Sequence, residues 1–435
     1  MCKKAVSLFL VIAVLALSSF SWSVSAAELY DISQYLTPLW EGDTVYDESV
    51  CILKNADGTF SPISLTYDID EIISVKDATL RYTYQEGRDY TVEDGKLIIS
   101  QDTIMPYFSY YEYYPSSGGL DRTDGGKIAF AEGDYFHKKQ IVVTYTHSDT
   151  WEREIPAAQA SKLPGTMSKL ENKQPISIVF YGDSITVGAN SSQYILSRPY
   201  LPIWPKLVTE ALKDQYGYND IIYTNTAQGG VTSTWGAENV SSRVISEGPD
   251  LVFVGFGMND NLLPPDEYAE NIRTIINETR SVFEECEFIL VSTTLPNKEV
   301  KDAYANQILY IDELEKIAEE LPGVAVADMT TLHDNLLDVK NFRDMTGNNV
   351  NHPNDFLARL YAQVALRTLS YEKIPGDITL DGDVSIDDVL VILQTVVQEK
   401  TLSGTAFENA DMNGDGRVTT TDARLCLRMV AGKEE

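Results

Sequence analysis

Hydrolysing an ester needs a hydroxyl nucleophile, a base to take its proton, and N–H donors for the oxyanion that forms. Residues of these types stand in four short motifs: Ser184 in Tyr181-Gly182-Asp183-Ser184-Ile185-Thr186, then Gly229-Gly230, then Gly257-Met258-Asn259-Asp260, and finally His352-Pro353. The first three follow apolar runs, and the histidine stands just before the last helical pattern of its segment. Pro353 biases His352 away from helical geometry and suits the first turn of the helix that follows, so the imidazole is expected on a loop at a helix mouth.

Four motifs far apart in sequence need a scaffold to meet. Apolar runs at Ile176–Tyr181, Ile221–Tyr223, Leu251–Phe256, Phe288–Val291 and Val324–Ala327 alternate with helical patterns near 203–216, 266–283, 304–320 and 354–370. That rhythm predicts a three-layer α/β domain over 170–373, its parallel sheet covered on both faces. In such a sheet, reactive groups gather at the carboxyl ends of the strands.

Residues 28–165 differ. Turn signals recur at Asp57-Gly58, Glu86-Gly87, Asp94-Gly95, Asp124-Gly125-Gly126 and Glu132-Gly133. Between them lie β-branched and aromatic segments such as Thr79–Tyr84, Lys96–Ile99 and Gln140–Tyr145, which predict a small β-sandwich. Tyr107, Phe108, Tyr110, Tyr111, Tyr113 and Tyr114 crowd one stretch; strand packing or contact with the neighbouring domain is favoured over stacking on sugar rings.

Taken in order, the four motifs resemble the SGNH, or GDSL, hydrolase family of esterases, lipases and carbohydrate deacetylases, over about 174–372. The resemblance implies Ser184 as nucleophile and His352 as general base. It implies an oxyanion hole made by the backbone N–H groups of Ser184 and Gly230 and the side-chain amide of Asn259. Asp183 and Trp235 are expected to contribute to substrate binding, with core packing an equal reading for the tryptophan. One position departs from the family, which commonly places an aspartate three residues before the histidine. Here that residue is Asn349, which can orient the ring but cannot stabilise an imidazolium by charge. A backbone carbonyl, Asp344 or Asp355 are the other means of holding His352. His137, His147 and His333 show no ligand spacing, and no cofactor is expected for catalysis.

The last segment, 376–433, repeats itself. Asp377, Thr379, Asp381, Asp383, Ser385 and Asp388 occupy positions one, three, five, seven, nine and twelve of a calcium-type loop. Asp411, Asn413, Asp415, Arg417, Thr419 and Asp422 do so in the second loop, with position seven offering its backbone carbonyl and a glycine at position six of each. Two such loops, each followed by a helix, resemble a type I dockerin, a small all-α module. The resemblance implies two Ca²⁺ sites and a cohesin on a scaffolding protein as partner. Ile386-Asp387 and Thr420-Thr421, which stand where dockerins are recognised, differ between the repeats and imply one preferred binding orientation.

Bulk properties bound the rest. Lys3 and Lys4 precede an apolar run from Ala5 to Leu17 and small residues to Ala27, the pattern of a signal peptide over 1–27, so a secreted, extracellular chain is expected. No later stretch is long and apolar enough to span a membrane. The chain of 435 residues carries a formal net charge of −31, which disfavours nucleic acid as a partner. The four cysteines are scattered and suggest no disulfide framework. The whole reads as a cellulosomal serine esterase acting on acetylated plant polysaccharide, acetylxylan first. A noncatalytic carbohydrate-binding protein of the same fold is the alternative from another class, and a lipase or thioesterase the alternative within it.

Overall fold

In the computed structural model the described residues are 30–402 and 404–432. The expected signal peptide lies outside them. No helix among the described residues is long and apolar enough to cross a membrane, and Cys51, Cys286 and Cys426 are buried free thiols.

The described residues open with a one-turn helix α1 (Ile32–Tyr35) and strands β1 (Thr44–Cys51), β2 (Glu71–Asp77), β3 (Tyr90–Glu93) and β4 (Lys96–Ile99). A second one-turn helix α2 (Tyr110–Tyr113), β5 (Leu120–Asp121), β6 (Lys127–Ile128) and β7 (Gln140–Thr146) complete this region. Where a sandwich was expected, the region has a three-stranded antiparallel sheet in the order β1-β7-β2 and two separate hairpins, β3-β4 and β5-β6. Tyr90, Leu97 and Ile99 of the β3-β4 hairpin join Val50, Val75 and Val143 of the sheet in one core. The segment Thr79–Tyr84, read as a strand, is a turn with a short antiparallel return: the Asp77 carboxylate accepts from the Arg81 and Tyr82 N–H groups and bends the chain, and Thr83 then bridges Lys76 of β2.

Helix α3 (Pro164–Glu171) leads into β8 (Ile176–Gly182), α4 (Ser184–Val187), α5 (Trp204–Tyr216), β9 (Ile221–Asn225), α6 (Ser233–Arg243) and β10 (Leu251–Gly255). Then follow α7 (Pro265–Arg280), β11 (Glu287–Val291), α8 (Tyr310–Glu320), β12 (Val324–Ala327), α9 (Met329–Leu337) and α10 (Asp355–Thr368). All five expected strands form, and they make one parallel sheet in the order β12-β11-β10-β8-β9. Alternate residues feed opposite layers: Ile178, Phe180 and Phe253 enter one core, Val179, Tyr181 and Val252 the other. With both faces buried, β10, β11 and β12 carry apolar runs rather than alternation, while the edge strand β9 is partly exposed.

Strand order reverses between β8 and β10, and a doubly wound sheet opens its binding crevice at such a switch point. Ser184 follows β8 and Asn259 follows β10, so the fold itself puts these two motifs side by side.

The first region and the α/β domain share a core, since Val50, Val75 and Val143 belong to the same apolar cluster as Trp204, Phe356 and Leu360. Polar ties reinforce the seam. Asp344 accepts from the Cys51 N–H at 2.7 Å, and Arg359 donates to Tyr46 O and Asp47 O at 2.9 Å each. At the C-terminus α11 (Ile386–Val396), α12 (Gly404–Ala410) and α13 (Thr420–Val430) enclose a small core of their own that includes Ile378, Ile392 and Cys426.

Candidate active site

Ser184 is the first residue of α4, a single turn launched from the end of β8 and capped by Asp183. Gly182 has no room for a side chain, because a β-carbon would lie 2.2 Å from the Gly255 carbonyl oxygen. Trp204, buried against Phe180 and Tyr361, donates from its indole to Ile185 O at 3.0 Å and pins the turn from beneath. Full burial of a side chain this size contributes about 2–3 kcal/mol, which helps anchor the turn that carries Ser184.

The Ser184 Oγ and His352 Nε2 are 2.9 Å apart. His352 stands on a loop ahead of α10, as Pro353 implied. Asn348 organises that loop, its side-chain oxygen accepting from the Val350, Asn351 and His352 N–H groups at 3.0–3.1 Å. On its far side the imidazole Nδ1 meets Asn190 Oδ1 at 2.7 Å and Glu132 Oε2 at 3.3 Å. The Asn190 amide is oriented by donating from Nδ2 to Gly133 O and Gly347 O, so its oxygen faces the ring. Nδ1 therefore carries the proton and Nε2 accepts from Ser184, the tautomer that general-base chemistry requires.

Neither Asn190 nor Glu132 was expected from the sequence. Burial alone would raise the carboxyl of Glu132, but hydrogen bonds with His352 and Asn348 outweigh it and hold the group below the usual carboxylate range.

Asn349 takes no part in orienting the ring. Its side-chain oxygen accepts from the Tyr113 hydroxyl at 2.8 Å and its amide donates to Ala129 O at 3.0 Å, both in the first region. The residue is fully buried in a left-handed conformation (φ 69°) that asparagine tolerates. Asp344 and Asp355 are also turned elsewhere, Asp355 accepting from the Ser192 N–H at 2.7 Å. Asn349→Ala is expected to cost about 1–3 kcal/mol of stability by stranding a buried hydroxyl and carbonyl, and to lower kcat less than Asn190→Ala does. Denaturant unfolding and steady-state rates of the two variants check this.

The two residues expected at the substrate both make contacts within the protein. Asp183 is buried and caps α4 by accepting from the Ile185 N–H at 2.9 Å; burial, helped by the Asp260 charge, pushes its carboxyl up to about 7. Trp235 packs on the α6 side of the sheet near Tyr181, with the Arg243 guanidinium 5.4 Å from its ring.

The expected oxyanion donors lie on loops that follow β8, β9 and β10. A β-carbon on Gly229 would stand 3.8 Å from the Ser184 Cβ, so the Gly229-Gly230 turn passes beside the nucleophile. Gly230 adopts φ 76°, a conformation that favours glycine. Asn259 donates from Nδ2 to Val231 O at 2.9 Å, which ties the two loops together, and Asp260 binds both the N–H and the hydroxyl of Ser233 at the head of α6.

In the C-terminal module the two loops repeat one frame. Asp377 accepts from the Asp381 and Gly382 N–H groups, and Asp411 from those of Asp415 and Gly416. Asp388 and Asp422 close their loops on the Ser385 and Thr419 N–H groups. Each loop offers carboxylate, hydroxyl or amide, and backbone oxygens, a hard donor set that suits Ca²⁺, although no three acidic or imidazole side chains converge on one point among the described residues.

The model of the GDSL-like lipase/acylhydrolase family matches residues 180–360, and that of the dockerin type I domain matches 375–430. No curated protein matches the chain. Among solved structures, a two-domain esterase active on acetylated mannans, crystallised with mannopentaose, is 21% identical with a TM-score of 0.38. The match covers 48% of this chain and 53% of that one, so the chain spans about half the length of that relative. An acetylxylan esterase from Geobacillus stearothermophilus is likewise 21% identical, with a TM-score of 0.38, over 45% of this chain and 95% of the other. Residues 180–360 thus match the GDSL-like lipase/acylhydrolase family, and residues 375–430 match the dockerin type I domain.

Proposed function

We propose that this chain is a secreted serine esterase that removes acetyl groups from plant cell-wall polysaccharide while held on a scaffold through its dockerin. The observation that carries the reading is the 2.9 Å contact between Ser184 Oγ and His352 Nε2, in a tautomer ready to accept the proton, at the sheet's switch point.

In this reading the Ser184 Oγ attacks the acetyl carbonyl as its proton passes to Nε2. The tetrahedral oxyanion is met by the Ser184 and Gly230 N–H groups and the Asn259 amide. His352 then hands the proton to the departing sugar oxygen, and water attacks the acetyl-enzyme with His352 again as base. The dockerin supplies the substrate class, since its partner is a cohesin on a polysaccharide-degrading assembly; acetylated xylan is the first expectation. Two Ca²⁺ ions, one per loop, would hold the dockerin helices for that partner.

The test is acetate release from acetylated xylan and acetylated mannan by the mature protein, with an aryl acetate as a substrate free of sugar. Release from xylan above mannan supports the full reading. Cleavage of the aryl acetate alone would leave an esterase of another substrate class, and inertness toward all three would sink the enzyme reading.

A further inference from the structure

The hydrolase domain does not carry the acid that its own histidine needs. Asn349 is committed to Tyr113 and Ala129, Asp355 to the Ser192 N–H, and Asp183 to the Ile185 N–H beneath the nucleophile. The carboxylate beside the imidazole comes from a Glu-Gly turn between β6 and β7, 220 residues upstream of His352. That turn is built into the site. Asn348 donates to Glu132 Oε1 at 3.0 Å, leaving Oε2 to face Nδ1 at 3.3 Å, and Asn190 reaches from beside the nucleophile to the neighbouring Gly133 carbonyl at 3.2 Å.

We propose that Glu132 is the acidic positioning residue of this active site, supplied to His352 by the first region, and that it shares the acid's role with Asn190. Asn190 sets the ring's orientation as a neutral acceptor at 2.7 Å. Glu132 supplies the charge. When the Ser184 proton moves to Nε2, the Nδ1 proton stays where it is and the imidazolium gains one positive charge beside a carboxylate that remains ionised. The 3.3 Å contact shortens as that charge develops, because charge-assisted hydrogen bonds are the shorter and stronger ones. Glu132 is about half exposed, so solvent screens part of the attraction, and the expected effect is smaller than that of a buried triad aspartate.

This inference rests on Ser184 and His352 being nucleophile and base, and its test is arranged so that the two fail separately. The charged groups around the imidazole are Glu132 from the first region and Asp183 at the cap of α4. Burial pushes the Asp183 carboxyl up to about 7, so only variants that share it are compared.

Glu132→Gln keeps the shape and removes the charge, while Asn190→Ala removes the neutral acceptor. In Glu132→Gln, kcat/KM for an aryl acetate is expected to fall about 10–100-fold at its plateau. Its acid limb should move to lower pH by up to about one unit, because the imidazolium has lost a stabilising anion. Asn190→Ala should lower the plateau and leave the acid limb nearly in place. The His352 imidazole is also titrated by NMR in a Ser184→Ala background, with its signal assigned by His352→Gln. The same downward shift is expected there on adding Glu132→Gln, and this arm needs no turnover.

A Glu132→Gln enzyme with wild-type rate and acid limb would overturn the inference while leaving the esterase intact. Loss of rate with no shift in either profile would also overturn it, by reducing Glu132 to a structural part. A His352 shift in a protein with no esterase activity would uphold the pairing and condemn the parent reading instead.

Discussion

Ser184→Ala is expected to abolish acetate release, with kcat falling on the order of 10⁴- to 10⁶-fold, KM changing little, and the fold intact. The size of the effect follows from the surroundings. The next hydroxyl on the same turn, Thr186, is buried and directed at the Gly255 carbonyl, so no second nucleophile stands ready when Oγ is removed. What survives in the variant is whatever the oxyanion donors and His352 achieve with water, a residual rate well above the uncatalysed one. The serine gives up one hydrogen bond, about 1 kcal/mol, so its thermal midpoint should stay close to that of the parent. Acetate release measured on matched, folded samples decides the matter, and a variant retaining a tenth of the parent rate would remove Ser184 from the nucleophile's role.

The second large effect is on stability, at the seam between the first region and the hydrolase domain. Lys340, which follows α9, pairs with Glu48 of β1, and both side chains are wholly buried. Lys340 also donates to Ser49 O at 3.1 Å, and Glu48 accepts from the Thr66 N–H and hydroxyl and from the Tyr145 hydroxyl at 2.7–3.0 Å. The carboxylate is thus fully coordinated only while the lysine is present. Lys340→Met keeps the apolar volume and removes the cation, leaving a buried carboxylate without a counter-charge, at a cost of about 3–5 kcal/mol. The double variant Glu48→Gln with Lys340→Met removes both charges and should recover part of that loss. Guanidinium unfolding of the parent, the single and the double variants measures it, and a single variant within about 1 kcal/mol of the parent would show that the pair contributes little.

The parts of this molecule legible in the sequence are those whose signals are local. The five parallel strands announced themselves because burial on both faces demands unbroken apolar runs, and Pro353 marked the loop that presents His352. The repeated loop-helix frame of the C-terminal module was legible from spacing. Helix α6 was not anticipated: it opens with Ser-Thr, carries Gly236 in its second turn, and turns few apolar residues inward, so its apolar stripe is faint. Gly236 is there because a β-carbon would stand 2.7 Å from the Phe256 ring, a packing demand invisible along the chain.

The histidine's partners escaped for a different reason. Glu132 reads as half of a Glu-Gly turn, and only the fold brings that turn to His352. Asn349 stands where the resemblance led to the expectation of an aspartate, yet a side chain's target is set by what surrounds it in space. Here Tyr113 of the first region claims it. The tyrosine cluster accordingly divides its work: Phe108 and Tyr113 are buried, Tyr114 packs on Arg122 and bonds Glu299, and Tyr111 alone stands largely exposed.

The shared core bears on how such a chain can be rearranged. Tyr35, Val143 and Phe356 sit in one apolar cluster, while the C-terminal helices close around their own. Recombination that exchanges the terminal module cuts between cores and leaves each intact. A cut near residue 165 instead divides a single core and separates Glu132 from His352. In a library of shuffled genes, junctions near 374 should survive selection and those near 165 should be rare, making the first two segments one heritable cassette.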